Sequence, residues 1–353
     1  MNASNFLREL GIEHPIVQGP MSGGATTPEL VAAVCNVGGL GSLGASYLTP
    51  DQIASDIKAI RALTDKPFNV NLFAGGYTAE SRVDPAPMLA ILAEIHATVR
   101  LPAPVLPAWP PNSFDDQLEV VLEARPAVFS FTFGIPDPDA LARIRKRGIA
   151  LVGTATTAKE GSRLDESGVT AIVAQGAEAG GHRGTFAGSF ETSMVPTFTL
   201  VKSLRNEVSV PVIASGGLMD GRDIARSLAH GAVAAQLGTA FLTSTESGIS
   251  ESYKSALLDS RKDSTVITRA FSGRPARALT NTFVARCTGK EEIILPFPLQ
   301  NALTRPMRNA AAKLGDREFQ SLFAGQGVAR VRSLPAAELI RQLLFEMEQV
   351  QLA

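Results

Sequence analysis

The sequence predicts an α/β protein of the (β/α)8 TIM barrel class, with an inserted segment and a C-terminal helical cap. Three observations predict it. Short apolar runs alternate with helix-like segments, the runs starting near residues 15, 40, 68, 127, 149, 170, 211 and 233. The runs are continuously apolar, as parallel strands buried on both faces require. Clusters of glycines and amides recur at the ends of the runs, where such barrels carry their functional loops.

The elements follow in order. "HPIVQGPM" is a strand ending in a glycine-proline loop, and "TPELVAAVCNVG" is a helix with Thr27 as N-cap and Pro28 at its first position. "GLGSLGAS" is a small second strand. "TPDQIASDIKAIRALT" repeats the Thr-Pro helix start, and "PFNVNLFAGG" is the third strand. Residues 75–126 exceed a normal connection and hold an extra helix, "PMLAILAEIHATVR", with a proline-rich loop. Strands "PAVFSFTFGIP", "IALVGTATT" and "VTAIVAQGAEAGG" alternate with helices, and a long loop spans 176–196. "VPVIASGGLMDG" and "AVAAQLGTAFL" complete the eight. A doubly wound sheet would place a GxGxxG turn after its first strand; "QGPMSGG" lacks that spacing.

Beyond residue 245 the alternation stops. "SESYKSALLDS" reads as helical and "STVITRAFSGRPAR" as extended. Leu339, Ile340, Leu343, Leu344, Met347 and Val350 give the last segment a helical apolar face. The expected organisation is a barrel over 1–245, inserted at about 75–126, and a mainly helical segment over 246–353 that packs on it.

Composition excludes several classes. Hydrophobic residues make up 45% and charged residues 19%, which suits a well-buried globular chain. The formal net charge of −1 gives no bias toward nucleic acid or anionic membrane. Cys35 and Cys287 are too few for a disulfide framework or a zinc site. No apolar run has signal-peptide or membrane-span length, so a cytoplasmic location is expected.

The strand ends carry Gln18-Gly19-Pro20-Met21, Asn69 and Asn71, Gln175-Gly176, Ser215-Gly216-Gly217 and Gln236-Leu237-Gly238-Thr239. Glycines and neutral amides suit a polar, uncharged ring system. The loops after the last two strands of such barrels often bind phosphate, and glycines let the backbone approach it; the alternative is that they serve only tight turns. "AQGAEAGGHRGTF" places His182 on the loop after the sixth strand, with Gly180 and Gly181 before it. No other strand-end residue is a good acid or base at neutral pH. His14, His96 and His230 lie before a strand or within helices. No carboxylate pair stands at strand ends; Glu178 is the nearest acid and a weak candidate for a base. No metal-ligand spacing is visible.

With these residues laid out, the chain resembles the nitronate monooxygenases, also called 2-nitropropane dioxygenases, which are FMN-dependent barrel enzymes. The resemblance runs from "PIVQGPMSGG" through "PFNVNLF" and "FSFTFGIP" to "QGAEAGGHRGTF" and "PVIASGGLMDG", and "LPFPLQNALTR" extends it. "EAGGHRG" is its most diagnostic part, and "SFTFG" points to the larger bacterial and fungal class. The resemblance implies that Asn71, Gln175, Gly180, Gly217 and the run Gln236, Leu237, Gly238 and Thr239 bind FMN. It places Met21 near the flavin through its backbone and makes His182 the active-site histidine. It implies oxidation of alkyl nitronates by O2 to a carbonyl compound and nitrite, with propionate-3-nitronate as a target. Some members place tyrosines and a lysine near the substrate; here Phe297 stands where a tyrosine is expected, and no lysine follows closely. Two rivals share the glycine loops: a flavin-dependent enoyl-thioester reductase using NAD(P)H, and a flavin-binding protein without turnover.

Overall fold

A computed structural model describes residues 5–77, 80–110 and 113–351. Eight parallel strands form the central sheet: β1 (Ile16–Gln18), β2 (Gly41–Gly44), β3 (Phe68–Phe73), β4 (Val128–Thr132), β5 (Ala150–Ala155), β6 (Ala171–Gln175), β7 (Val212–Ser215) and β8 (Ala234–Leu237). They pair in chain order, and β8 pairs back onto β1 with Val17 opposite Gln236. A parallel bridge between Val17 and Leu40 joins β1 to β2 and closes the barrel. That seam is short, and the Gln18 side chain extends it: its Oε1 accepts a hydrogen bond from Ser42 N–H at 2.9 Å.

The outer helices begin as the sequence requires. The Thr27 hydroxyl accepts from Leu30 N–H at 3.1 Å at the start of helix Pro28–Asn36. Thr49 and Gln52 make a reciprocal capping box on helix Pro50–Leu63. Asp137, Thr157 and Asp220 cap later helices in the same way. Each cap is worth about 1 kcal/mol.

Alternation along the strands decides where chemistry can sit. Outward-facing Val70, Leu72, Phe129, Phe131, Ile172 and Val212 join the helices in the main core. The inward set changes character along the barrel. Val17, Leu40, Val128, Val152, Val173 and Ile213 pack with Phe6 in an apolar plug near the strand starts. Beyond them buried Asn71, Ser130 and Ser215 take over, and Asn69, level with Val128, joins this polar set. Asn69 Nδ2 donates to Ser42 Oγ and Ser130 Oγ, and Asn71 Nδ2 donates to Ser130 Oγ at 2.8 Å. The barrel is therefore dry at one end and polar at the other.

The inserted segment and the C-terminal segment share a second core. Met88, Leu92 and Ile95 of helix Ala86–Thr98 pack with Phe271, Phe283, Leu303 and Met307. Helix Leu299–Leu314 belongs to this unit and carries side chains over the barrel mouth. The last helix, Ala336–Gln351, goes elsewhere. Its Leu339, Ile340 and Leu343 are buried in the main core, and it packs on helices Pro28–Asn36 and Gly221–Ala229. It thus takes the eighth place in the outer ring, leaving residues 243–335 as the excursion that caps the barrel. Among the described residues, no helix is long and apolar enough to cross a membrane.

Candidate active site

A cavity of about 620 Å³ opens at the strand ends. Its floor and sides come from the barrel loops, and its far wall comes from the excursion. Met21, Asn71, Gln175, Gly180, His182, Gly217, Gln236, Gly238 and Thr239 all line it. Leu237 does not: its side chain is buried in the main core, and its carbonyl accepts from Gly19 N–H at 2.8 Å. Among the described residues no aspartate or glutamate lines the cavity, and Arg305 and Arg308 do. Among the described residues, no group of three His, Cys, Asp or Glu is placed to hold a metal ion.

The floor is made of backbone. Gly216 and Gly217 lie in succession at φ +126° and +69°, a path that side-chain-bearing residues rarely take. A Cβ on Gly217 would stand 2.9 Å from Glu178 Cβ. Gly180 is tighter still: a Cβ there would lie 2.5 Å from Gly325 N. The excursion therefore touches the glycine loops directly, and Gly325 N–H donates to Thr239 Oγ1 at 2.9 Å. A glycine-lined concavity with amide side chains from Asn71 and Gln236, and no acid to repel a phosphate, fits a flavin nucleotide.

His182 is held from three sides. Residues Gly181–His182 form a short strand that pairs with strand Ala276–Leu279 of the excursion, His182 opposite Ala276. Gln175 spans the loop: its Nε2 donates to His182 O at 3.0 Å, and its Oε1 accepts from Gly184 N–H at 2.8 Å. Downstream, Glu160 is fully buried, and one of its oxygens accepts from Phe186 N–H and Ala187 N–H. Arg183, 1% exposed, donates to the carbonyls of Gly176, Gln175 and Ser193. These bonds offset the cost of burying the cation and fix the loop on which the imidazole sits.

The imidazole is half-buried among Phe133, Phe297 and Phe323, with ring centroids at 6.0, 6.5 and 5.2 Å. Its Nε2 lies 2.8 Å from Ser272 Oγ. That hydroxyl also accepts from Arg274 N–H and lies 3.3 Å from Arg274 O. With the hydroxyl proton on that carbonyl, His182 Nε2–H donates to Ser272 and Nδ1 keeps a lone pair; turning the hydroxyl reverses the roles. Burial, aided by the Arg274 and Arg308 charges, pushes the imidazole down to about 3. The ring is neutral at pH 7.

The opposite wall is charged. Asn301, Arg305 and Arg308 lie on one face of helix Leu299–Leu314 and line the cavity with Tyr47. Arg308 donates to Asn301 O and Asn301 Oδ1 at 2.8 and 2.9 Å. Burial holds its guanidinium down at about 10, against the pull of Tyr47. Arg305 lies over the Tyr47 ring, 5.1 Å from its centroid. Burial pushes the Tyr47 phenol up to about 12, so it stays protonated.

This geometry agrees with what the chain is similar to. A family model described as nitronate monooxygenase matches residues 4–346. The chain belongs to the nitronate monooxygenase family. A probable nitronate monooxygenase of Staphylococcus aureus (strain MSSA476) is 38% identical over 350 residues, covering 99% of this chain and 98% of that one. A solved structure of nitroalkane oxidase from Streptomyces ansochromogenes superposes with a TM-score of 0.90 at 40% identity, covering 98% of this chain and 99% of the other. FabK from Thermotoga maritima follows with a TM-score of 0.77 at 30% identity, covering 99% and 97%. The chain is accordingly an enzyme of this flavin-dependent oxidoreductase family.

The structure adds residues that sequence reading passed over: Tyr47, Arg305, Arg308 and Phe323 on the cavity wall, and Ser272 on the imidazole. One signal was present. Asn301, Arg305 and Arg308 recur at helical spacing, a polar stripe on a helix otherwise read only as family sequence. Ser272 gave none, because its contact with His182 crosses 90 positions of sequence.

Proposed function

We propose that the chain uses FMN to oxidise alkyl nitronates with O2, giving a carbonyl compound and nitrite. The observation that carries this reading is one cavity holding both the glycine floor and a neutral histidine, with two arginines and no acid on its walls. Gly217, Gly238 and Thr239 would hold the phosphate, and Asn71, Gln236, Gly180 and the Met21 backbone the ring. Gln175, already engaged with the His182 loop, has one N–H left for it. When bound, the flavin supplies the oxidation.

The chain's own residues supply position and charge. A neutral His182 either donates a hydrogen bond to the nitronate oxygens or takes a proton from a neutral nitroalkane, according to the tautomer that Ser272 selects. Phe133, Phe297 and Phe323 pack around that ring and lower the polarity of its surroundings. Arg305 and Arg308 favour a nitronate carrying a second negative group, and propionate-3-nitronate has one. The same reading assigns the flavin to the barrel loops and substrate choice to the excursion of residues 243–335 that faces them. It takes O2 and a small-molecule nitronate as substrates, with no nucleic acid or membrane as partner, in the cytoplasm.

A second reading is an enoyl-thioester reductase using NAD(P)H, which the likeness to FabK keeps in view. Oxygen-free flavin bleaching separates the two. Rapid bleaching by a nitronate and not by NADH or NADPH is expected; the reverse overturns the proposal. Chromatography of the released cofactor should give FMN, not FAD, since no dinucleotide fingerprint follows the first strand.

A further inference from the structure

A second cavity, of about 290 Å³, lies behind the histidine. Arg183, Arg269 and Arg274 line it, together with Gly188, Gly273 and Phe297. Among the described residues it shares no lining residue with the larger cavity. The partition is thin all the same: Phe297 faces His182, Arg274 lies 3.9 Å from the Phe133 ring centroid, and Arg183 directly follows the histidine.

Among the described residues no carboxylate lines this cavity, and none of the three guanidinium groups forms an ion pair. The acids that act on them do so at a distance. Glu160 acts on Arg183 and Arg274, Glu178 on Arg183, and Glu191 on Arg269. The Glu160 oxygens are already taken by Thr156, Phe186 and Ala187 donors, and Glu178 Oε2 by Thr197. Arg274 spends one N–H of each terminal nitrogen on the carbonyls of Gly76 and Thr185, which leaves one on each. Arg269 is exposed at the rim, with one contact at 3.5 Å to Gly273 O. Arg183 spends three of its N–H groups on the carbonyls of Gly176, Gln175 and Ser193, so the available donors are chiefly those of Arg274 and Arg269. Positive charge with spare donors thus borders a space that is too small for a nucleotide and ample for a small anion.

We propose that this second cavity binds a small oxyanion. The chemistry has two sources: nitrite, the product of the oxidation proposed above, or free phosphate. The nitrite assignment rests on that oxidation; the site itself does not.

Calorimetric titration of the flavin-loaded protein tests this without turnover, so its failure is distinct from failure of the enzymatic reading. Sodium nitrite and sodium phosphate are the two probes. The expected result is binding of at least one, weakened about 10-fold in Arg269→Ala, the scale of one charge-assisted contact, and further in Arg269→Glu. Arg269 is on the surface, so both variants should fold. Arg305→Ala, on the other cavity, should leave this binding unchanged. Tighter binding of nitrite identifies a product site, and tighter binding of phosphate a phosphate site; either supports the proposal. It is overturned if neither probe binds, if binding survives both Arg269 changes, or if Arg305→Ala alone removes it.

Discussion

The two walls of the main cavity are built on opposite principles. The floor, at the ends of β7 and β8, offers backbone and neutral amides: Gly216, Gly217, Gly238 and Gln236. The roof, from the excursion, offers side chains with charge: Arg305 and Arg308 on one helix, and Ser272 and Arg274 behind His182. A backbone floor cannot be tuned by substitution without blocking the space, because each Cβ meets a neighbour or fills the cradle. A side-chain roof can change its specificity while the floor stays fixed. One fold can therefore keep a cofactor and vary a substrate, provided the two jobs fall on different walls.

The comparison breaks first at the floor. Gly217→Asp should give the largest effect, near-complete loss of flavin. The new side chain would crowd Glu178, adopt a φ of +69°, and place negative charge in a cavity that has none. Absorbance of the purified variant checks this. A variant that stays yellow at full stoichiometry would make this glycine a turn residue and nothing more.

His182→Asn tests the seam between the walls. It should fold and keep flavin, since the loop is fixed by Gln175, Arg183 and Glu160 rather than by the imidazole. Turnover should fall by about 10²–10⁴, the usual effect of removing a positioned donor or base. The loss should be larger with a neutral nitroalkane than with pre-formed nitronate if the ring removes a proton, and equal for both if it only donates. Wild-type rates with both substrates would remove the histidine from the mechanism.

The two walls also differ in how far the sequence disclosed them. The eight apolar runs place the strands within a residue or so of where they begin, because a strand buried on both faces has few alternatives. The floor was legible for the same reason: a strand end followed by two glycines has a fixed place in a barrel. The roof was not. Arg305 and Arg308 stand on an amphipathic helix whose packing partner, helix Ala86–Thr98, is some two hundred positions away, and no local pattern says which face meets the cavity. The last helix misled differently. Its apolar face was plain, but whether that face caps the mouth or completes the ring depends on the path of the whole excursion.

Arg305→Ala sharpens the comparison from the roof. It should raise KM for a carboxylate-bearing nitronate by about 10-fold and barely change it for an uncharged one, because one exposed charge-assisted contact is lost. Flavin content should not move. An equal loss for both substrates would show that the roof shapes the cavity without reading charge.

The smallest effect expected is a flat line. With the imidazole pushed down to about 3 by burial and the two arginines, His182 does not change charge near neutrality. For pre-formed nitronate, kcat/KM should therefore be level between about pH 5.5 and 8, where a free histidine would titrate. Stability should behave otherwise. A histidine whose folded value lies below its unfolded one binds its proton in the unfolded chain first. Its contribution is complete above the ordinary value of 6.5 and is lost as pH falls from there toward about 3. Wild type should then lose melting temperature faster than His182→Asn over that interval, while the two stay parallel above it. A rate that bends near pH 6.5 in wild type, and not in the variant, would mean that the imidazole titrates freely in the working enzyme. The charged roof would then have no hold on the group beneath it.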